Sequence, residues 1–291
     1  MELRGATVVV TGGGNGIGEA LARRFASDGA QVVVNDLDAA AAARVADDIG
    51  GQAVVGDAAS EAGIAALLTT ARERFGEIDL YCANAGVARS GGPEAPEDAW
   101  ALSWEINVMA HVRAARALLP TWLARGRGHF LATVSAAGLL SHVTAAPYTV
   151  TKHGALAFAE WLSVAYGDRG IIVQALCPQG VRTNMLMGED SAGRQLLLRD
   201  AIEPAAVANI AAGALADGRF LILPHPEVAG YGVNRAIDHE RWLSGMRRIR
   251  RSVTSSSEEP DGSDRRSTQR FVEPGSTKDS SDGPPTSEAT P

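Results

Sequence analysis

The sequence predicts a three-layer α/β fold, in which a doubly wound parallel sheet of seven strands lies between two layers of helices in a single domain. Two observations support this prediction. Short runs rich in β-branched residues alternate with alanine-rich, helix-length segments from Thr7 to Leu223, and such alternation implies parallel strands joined by right-handed crossovers. Glycines also fill the connection after the first strand, where such folds turn sharply into a helix.

The predicted elements follow one another in regular order. The strands are Thr7–Val10, Gln31–Asn35, Ala53–Gly56, Leu80–Cys82, His129–Val134, Ile171–Leu176 and Phe220–Leu223. The amphipathic stretches that predict helices include Ile17–Ser27, Ile64–Phe75, Trp100–Leu123, Tyr148–Tyr166 and Pro204–Ala216.

Composition divides the chain at about residue 251. The segment from Ser252 to Pro291 holds 10 Ser, 5 Thr, 5 Pro, 3 Gly and 8 acidic residues, and only four of its residues are apolar. Such a segment cannot bury enough apolar surface to offset the entropy lost on ordering. We therefore expect one folded domain over residues 1–251 and a disordered tail over residues 252–291.

The charge balance argues against a nucleic-acid partner. The net charge is −7, of which the tail supplies −4 through 8 acidic and 4 basic residues, leaving −3 on the folded part. The basic run Arg247, Arg248, Arg250 and Arg251 is interpreted as a solvated helix end, with a phosphate-binding patch as the alternative.

Two cysteines, Cys82 and Cys177, lie far apart, and the six histidines show no ligand spacing. These patterns predict neither a disulfide framework nor a metal site, and they favour a reducing, cytoplasmic location. The longest segment without acidic or basic residues, Gly128–Thr151, contains several polar groups. We therefore expect no membrane span, and the start of the chain shows no secretion signal.

The glycine-rich segment after the first strand predicts a dinucleotide site on a Rossmann fold. It reads Thr11-Gly12-Gly13-Gly14-Asn15-Gly16-Ile17-Gly18. Glycine permits positive φ and lets a pyrophosphate approach backbone N–H groups at the positive end of a helix. The candidate cofactor contacts here are Gly12, Asn15, Gly16, Ile17 and Gly18. Tight turns without a ligand use the same residues, so this segment alone is weak evidence.

Asp36 strengthens the prediction, because it ends the second strand 18 residues after Gly18. A carboxylate at roughly this offset reaches the ribose hydroxyls of adenosine. It would repel a 2′-phosphate, and the glycine segment has no Arg or Lys to neutralise one. The expected cofactor is therefore NAD, with NADP less favoured; the alternative role for Asp36 is helix capping.

Tyr148 and Lys152 are the candidate catalytic pair. They lie four residues apart, which places both on one helix face. A phenol has a pKa of about 10, and a cation about 4 Å away contributes about 4 kcal/mol towards ionising it at an effective dielectric of about 20. The only other lysine among 27 basic residues is Lys278, in the predicted tail. Because Arg serves at every other basic position of the predicted folded domain, the lysine at 152 points to a task that needs a compact charge.

Taken together, these residues resemble the short-chain dehydrogenase/reductase family over residues 3 to about 225. The resemblance rests on the glycine turn after Thr11, the Cys82-Ala83-Asn84-Ala85-Gly86 segment, Ser135, and Tyr148-(x)3-Lys152. It implies that Asp57 contacts adenine, and that Asn84, Ala85 and Gly86 support the sheet beside the cofactor. It also implies that Asn107 holds a water in a proton relay, that Ser135 bonds the substrate oxygen, and that Lys152 bonds the nicotinamide ribose. Capping for Ser135 and a helix-interior position for Asn107 are the structural alternatives.

One segment departs from the family pattern. The family's Pro-Gly-x-Val-x-Thr appears as Pro178-Gln179-Gly180-Val181-Arg182-Thr183. The resemblance places Pro178, Val181 and Thr183 at the nicotinamide, while Gln179 is a candidate substrate contact. The following substrate loop, about residues 184–203, contains Met185 and other lipophilic residues, which favours an apolar substrate.

The predicted function is reversible oxidation of an apolar secondary alcohol to a ketone by hydride transfer to NAD. The alternatives are a biosynthetic carbonyl reductase that uses NADPH and, from another class, a dinucleotide-binding regulator without catalysis. The resemblance implies a homodimer or homotetramer, with helix faces around Trp104, Leu118 and Trp161 as candidate contacts.

Overall fold

The seven predicted strands are present. The computed structural model describes residues 1–188 and 196–255. The strands are β1 (Thr7–Thr11), β2 (Gln31–Asp36), β3 (Gln52–Val55), β4 (Leu80–Ala83), β5 (Gly128–Thr133), β6 (Ile171–Leu176) and β7 (Leu221–Ile222). They form one parallel sheet in the order β3-β2-β1-β4-β5-β6-β7, which confirms the predicted α/β fold.

The chain changes direction across the sheet between β1 and β4. Val9 of β1 lies opposite Val33 of β2 on one side and Tyr81 of β4 on the other. The crossovers run outwards in opposite senses from this point, so the carboxyl ends of β1 and β4 border an open crevice. Ligands of doubly wound sheets bind at such a reversal.

Helices cover both faces of the sheet. They are α1 (Gly16–Ser27), α2 (Ala39–Ile49), α3 (Glu61–Phe75), α4 (Glu97–Trp104), α5 (Ala110–Arg125), α6 (Ala146–Tyr166), α7 (Asn184–Met187), α8 (Pro204–Asp217), α9 (Glu227–Ile237) and α10 (His239–Ser255).

Two apolar cores, one on each face, hold the layers together. Val8 and Val10 of β1 face the core shared with α1, α2 and α8, whereas Val9 faces the core shared with α3, α5 and α6. All three valines are fully buried. This strand is therefore apolar at successive positions, as expected of a parallel strand covered on both faces.

The stretch predicted as one helix from Trp100 to Leu123 is divided in the structure. A π-helical turn, Glu105–Met109, separates α4 from α5. Within this turn, Asn107 directs its side-chain amide to both backbone groups of Val87. Helical periodicity in the sequence does not encode such a contact with a distant segment, and π turns are often found at functional sites.

The last described helix, α10, continues to Ser255, four residues beyond the predicted end of the folded domain. The hydroxyls of Thr254 and Ser255 donate to the carbonyls of Arg250 and Arg251, one turn earlier in the helix. The rest of the predicted tail, 256–291, and residues 189–195 of the predicted substrate loop lie outside the described residues. Within the described ranges, no helix combines the length and apolar character needed to span a bilayer.

Candidate functional site

A cavity of about 1040 Å³ opens at the carboxyl ends of the strands, at the point where the chain direction reverses. Most of the candidate site residues line it. They are Gly12, Asn15, Gly16, Ile17, Asp36, Asp57, Asn84, Ala85, Gly86, Ser135, Tyr148, Lys152, Pro178, Gln179, Val181, Thr183 and Met185. Gly18 and Asn107 do not reach the cavity surface and act from behind its wall.

The glycine turn is tightly packed against its neighbours. Gly12 and Gly16 adopt φ values of +61° and +55°, a region that L side chains rarely adopt. A Cβ on Gly18 would lie 2.0 Å from the Gly12 carbonyl oxygen, and one on Gly16 would lie 3.0 Å from Cγ2 of Thr183. Side chains are thereby disfavoured at these three glycine positions, which lets a phosphate approach the backbone at the start of α1.

Asn84 joins the glycine turn to β4. Its amide nitrogen donates to the carbonyls of Thr11 and Gly12. The Thr11 hydroxyl in turn accepts the backbone N–H groups of Asn84 and Ala85 and donates to the Cys82 carbonyl. Asn84 therefore links the glycine turn to the end of β4 at the wall of the cavity.

Asp36 lies where the adenosine ribose is expected. Its two oxygens accept the backbone N–H groups of Gly14 and Asp38, at 2.9 and 3.1 Å. Each oxygen keeps a second lone pair for another donor. Asp57 lines the same end of the cavity and accepts the Ala59 N–H, at 2.9 Å.

Arg44 is a cation near this end that sequence spacing did not reveal. It donates to the Gly14 carbonyl at 2.8 Å. It also contacts Glu19 through both outer nitrogens, at 2.8 and 2.9 Å. Arg44 does not line the cavity, and its guanidinium is already used by this ion pair.

Lys152 is buried beneath the catalytic end of the cavity. Its Nζ donates to the Thr133 carbonyl at 2.9 Å and lies 5.7 Å from the centre of the Tyr148 ring. Burial lowers the pKa of the Lys152 ammonium to about 8. The two remaining N–H donors are available to a ligand or to the phenol. Tyr148 lines the cavity, and its ring lies edge-on to that of His142.

Asn107 supports this pair indirectly. Its Nδ2 donates to the Val87 carbonyl and to the Thr151 hydroxyl, at 2.9 and 3.0 Å, and its Oδ1 accepts the Val87 N–H. Thr151 directly precedes Lys152 on α6. Asn107 is thus a helix-interior residue whose amide is paired mainly with backbone, as in the structural alternative, and the same bonds tie the segment after Gly86 to α6.

Ser135 follows β5 at the cavity wall. Its Oγ accepts the Ala137 N–H at 3.0 Å and lies 3.5 Å from the Pro178 carbonyl. Capping and cavity exposure therefore occur together at this residue. The two cysteines are free and fully buried, and burial raises the pKa of the Cys177 thiol to about 12.

Gln179, the departure from the family pattern, lies at the same end. Its backbone N–H donates to Nδ1 of the buried His225, at 3.1 Å. Within residues 1–188 and 196–255, neither Oε1 of Gln179 nor Nε2 of His225 has a hydrogen-bond partner, although both atoms are buried. Buried polar atoms are normally paired, so this corner has unused hydrogen-bonding capacity.

The remaining wall comes from the C-terminal part of the chain. Leu196 and Leu197 line one side, and residues of α9 and α10 line another, among them Tyr231 and Trp242. Trp242 also packs under the guanidinium of Arg235, 5.1 Å from its ring centre. It therefore both docks the helices and closes the cavity.

Several contributors were not predicted from the sequence. Thr133, Thr151 and the two arginines on the cavity-facing side of α10, Arg241 and Arg248, contribute to the site. Leu118, proposed as an oligomer contact, is fully buried in the core. Thr151 had the clearest signal, since it is next to Lys152. Among the described residues, no group of acidic, His and Cys side chains is arranged to hold a metal ion.

Comparison with known proteins adds independent information. The short chain dehydrogenase family profile matches residues 6–193. A 1-deoxy-11-beta-hydroxypentalenate dehydrogenase from Streptomyces exfoliatus is 38% identical over 197 residues, which cover 65% of this chain and 72% of that protein. A meso-2,3-butanediol dehydrogenase from Serratia marcescens is 30% identical over 231 residues, covering 76% and 92% of the two chains.

Solved structures of short-chain dehydrogenases and reductases also match this chain. A short chain dehydrogenase/reductase from Burkholderia phymatum in complex with NAD matches with a TM-score of 0.76 at 29% identity, covering 82% of this chain and 96% of that one. A 3-ketoacyl-(acyl-carrier-protein) reductase from Brucella melitensis complexed with NADH gives 0.71 at 27% identity, covering 76% and 96%. The family profile ends before α8, α9 and α10 begin, so it does not include the C-terminal wall.

Proposed function

Since this chain belongs to the short-chain dehydrogenase/reductase family of NAD(P)-dependent oxidoreductases acting on CH–OH groups, we propose that it oxidises an apolar secondary alcohol to a ketone with NAD. The observation that carries the proposal is the meeting of Ser135, Tyr148 and Lys152 with the glycine turn in one cavity. A nicotinamide dinucleotide bound there supplies the hydride acceptor.

In the proposed reaction, the Tyr148 phenolate takes the hydroxyl proton as the carbinol C–H bond breaks. The Lys152 ammonium, 5.7 Å from the centre of the Tyr148 ring, favours the phenolate, by about 3 kcal/mol for a negative charge at about that distance and an effective dielectric of about 20. Ser135 donates to the oxygen that becomes the carbonyl. We propose that Asn107 supports the Tyr148 and Lys152 pair through Thr151 and the backbone of Val87. Its role in a proton relay is part of the same proposal.

The proposed choice of NAD rests on charge. The Asp36 carboxylate lies at the adenosine end, and the nearby Arg44 is already held by Glu19, which also pairs with Arg23. A 2′-phosphate would therefore meet a negative charge without a free cation beside it. We place Gly12, Asn15, Gly16, Ile17, Asp57, Ala85, Gly86, Pro178, Val181 and Thr183 around the same dinucleotide.

The cofactor proposal is tested by comparing kcat/KM with NAD and with NADP. We expect the unmodified protein to prefer NAD by at least about a hundredfold, which corresponds to about 2.7 kcal/mol. Asp36→Asn should reduce this ratio about tenfold, and the control Asp28→Asn, distant from the cavity, should leave it unchanged. A preference for NADP in the unmodified protein would support the NADPH-dependent reductase instead.

The proposed substrate is apolar because Met185, Leu196 and Leu197 line the substrate end. Two relatives are named for the oxidation of hydroxyl-bearing substrates, a hydroxypentalenate and a butanediol, which supports an alcohol substrate here. Met185 and Gln179 are the proposed substrate contacts. Equilibrium and initial-rate measurements in both directions separate a dehydrogenase from a reductase.

Tyr148→Phe tests the mechanism. We expect turnover of a secondary alcohol to fall about a hundredfold to ten-thousandfold, since the variant loses the acid–base group. The affinity for NAD, measured by calorimetry, should remain within about threefold. A regulator without catalysis would show no turnover in either protein, and normal turnover in the variant would exclude the proposed role of Tyr148.

We also propose that the protein forms a homo-oligomer through α4 and α6. Trp104 and Trp161 are 44% and 59% exposed, and Val164 is 85% exposed. Exposed apolar residues grouped on a surface are typical of association sites. In analytical ultracentrifugation, the unmodified protein should sediment as an oligomer and Trp161→Glu as a monomer. If both proteins sediment as monomers, the proposal is wrong.

A further inference from the structure

One face of α10 brings two arginines to the substrate end of the cavity. Arg241 and Arg248 both line it, together with Trp242, Met246 and Ile249. They lie seven residues apart, or about two helical turns, so they share one face. The other arginines near this position, Arg247 and Arg251, do not line the cavity.

Glycine at position 245 leaves room between the two arginines. A Cβ there would meet only Nη2 of Arg248, at 3.8 Å. Arg248 also contacts the Ser244 hydroxyl through Nη1, at 3.3 Å. Its side chain therefore folds back over the preceding turn towards Arg241, as helical side chains normally do.

The two guanidinium groups are largely unused by the protein. Within residues 1–188 and 196–255, Arg241 has no side-chain hydrogen bond or ion pair, and Arg248 has only the Ser244 contact. By contrast, Arg235 and Arg250 donate to the carbonyls of Leu139 and Val143 and so attach the helices to the cavity wall. The attachment of α9 and α10 to the rest of the domain therefore uses Arg235 and Arg250 rather than Arg241 and Arg248.

Two carboxylates also line the cavity, and within residues 1–188 and 196–255 neither forms an ion pair with Arg241 or Arg248. Asp238 immediately precedes α10, where its Oδ1 accepts the Arg241 backbone N–H at 2.9 Å and caps the helix. Asp200 lies exposed in the turn before α8. The α10 face therefore combines apolar side chains with planar cationic donors, which suits an apolar molecule bearing a carboxylate.

We propose that Arg241 and Arg248 bind the carboxylate of an amphipathic hydroxy acid, whose apolar body extends to its secondary alcohol at Tyr148. This inference rests on the proposed function and specifies its substrate class. Gly245 gives the carboxylate access to both guanidinium groups, and Trp242, Met246 and Ile249 contact the apolar body.

The inference can be tested with matched acids and esters. The probes are (ω−1)-hydroxy fatty acids of six, ten and fourteen carbons, each assayed beside its methyl ester. We expect one chain length to give the largest acid-to-ester ratio of kcat/KM, roughly tenfold, because a charge-assisted hydrogen bond to a partly exposed arginine is worth about 1.4 kcal/mol. The ratio should fall as salt rises, since exposed charges are screened.

Variants on one helix provide the control. Arg241→Gln and Arg248→Gln should each lower the acid-to-ester ratio, and the double variant should bring it close to one. Arg247→Gln and Arg251→Gln remove equal charge from the same helix outside the cavity, and they should retain the ratio. Equal turnover of acid and ester by the unmodified protein, or an unchanged ratio in the double variant, would overturn the inference.

A binding measurement separates this inference from the proposed function. Calorimetric titration of acid and ester into the Tyr148→Phe variant saturated with NAD reports recognition without turnover. Tighter binding of the acid, lost with Arg241→Gln and Arg248→Gln, would support the carboxylate site even if no probe is oxidised. Oxidation of esters with equal binding of both forms would support the dehydrogenase and reject the carboxylate site.

Discussion

The two ends of the cavity are built in different ways. At the dinucleotide end, backbone groups and short side chains are packed without spare room, and polar side chains such as Asn84 and Asp36 already hold backbone partners. At the substrate end, Gln179 Oε1 and the two α10 arginines have capacity to spare within the described residues. The family profile includes the first end and stops before α8.

This difference between the two ends corresponds to two tasks: binding the dinucleotide, which family members share, and recognising one particular substrate. A dinucleotide is a constant ligand, so its site can be fixed by backbone conformation, which tolerates few substitutions. A particular alcohol is recognised by side chains on helices that attach through a few contacts. Substitutions at the two ends should therefore differ in both size and kind of effect.

Gly18→Ala should have the largest effect. The new Cβ would lie 2.0 Å from the Gly12 carbonyl oxygen and 2.5 Å from Nδ2 of Asn84, so the turn itself must shift. We expect NAD affinity to fall at least about a hundredfold and unfolding free energy to fall by about 1–3 kcal/mol. Calorimetric titration with NAD and denaturant unfolding measure the two effects.

Gly232→Ala is the matched change at the other end. Gly232 lies in α9 with open space around its Cβ position, so alanine should stabilise the helix by about 0.5–1 kcal/mol. NAD affinity should be unchanged. If both glycine substitutions weaken NAD binding equally, the contrast between the two ends is wrong.

The packing behind Lys152 predicts a pH effect. His111 is fully buried, neither ring nitrogen has a partner among the described residues, and burial lowers the pKa of His111 to about 3. The unfolded chain therefore takes up the proton first as pH falls below about 6.5, and the folded state loses stability down to about pH 3. Between pH 7 and pH 5 the loss from this residue is about 2 kcal/mol.

His111→Leu should remove this contribution and flatten the dependence of unfolding free energy on pH. Burial similarly lowers the pKa of His129 to about 4, so a smaller acid effect should persist in the variant. The exposed His239 provides the control, because His239→Gln should keep the full slope. Urea unfolding at several pH values measures the dependence of unfolding free energy on pH. If this dependence is unchanged in His111→Leu, the assignment of the acid effect to His111 is wrong.

Sequence patterns were informative where the chemistry is local. The glycine turn, Asp36 and the Tyr148 and Lys152 pair each depend on spacing within one strand-to-helix unit, so they could be predicted together with the parallel sheet. The same spacing could not reveal Arg44 at the Gly14 carbonyl or His225 at the Gln179 N–H, because residues far apart in the chain form these contacts only after folding.

The C-terminal wall shows the limit most clearly. Basic residues on α10 were interpreted as a solvated helix end, and Arg247 and Arg251 fit that description. Arg248 belongs to the same basic run and Arg241 does not, yet both line the cavity, because docking of the helix turns their face towards it. The spacing of residues in the sequence indicates which of them share a helix face. Contacts between distant elements decide whether that face lies against solvent, the core or the cavity. The burial of Leu118 in the core was missed for the same reason.

The smallest expected effect is that of Arg235→Gln, which weakens the attachment of α9 and α10 to the rest of the cavity wall. Arg235 donates to the Leu139 carbonyl and packs on Trp242, so Arg235→Gln should cost about 1 kcal/mol of unfolding free energy. Looser docking of α9 and α10 should raise KM for an apolar alcohol a few-fold, while kcat and NAD affinity stay constant because no group at the glycine turn moves. The control Arg247→Gln, on the same pair of helices, should change none of these. A loss of NAD affinity in Arg235→Gln would show that the C-terminal wall also supports the dinucleotide end, and the separation between constant and variable ends would then fail at this residue.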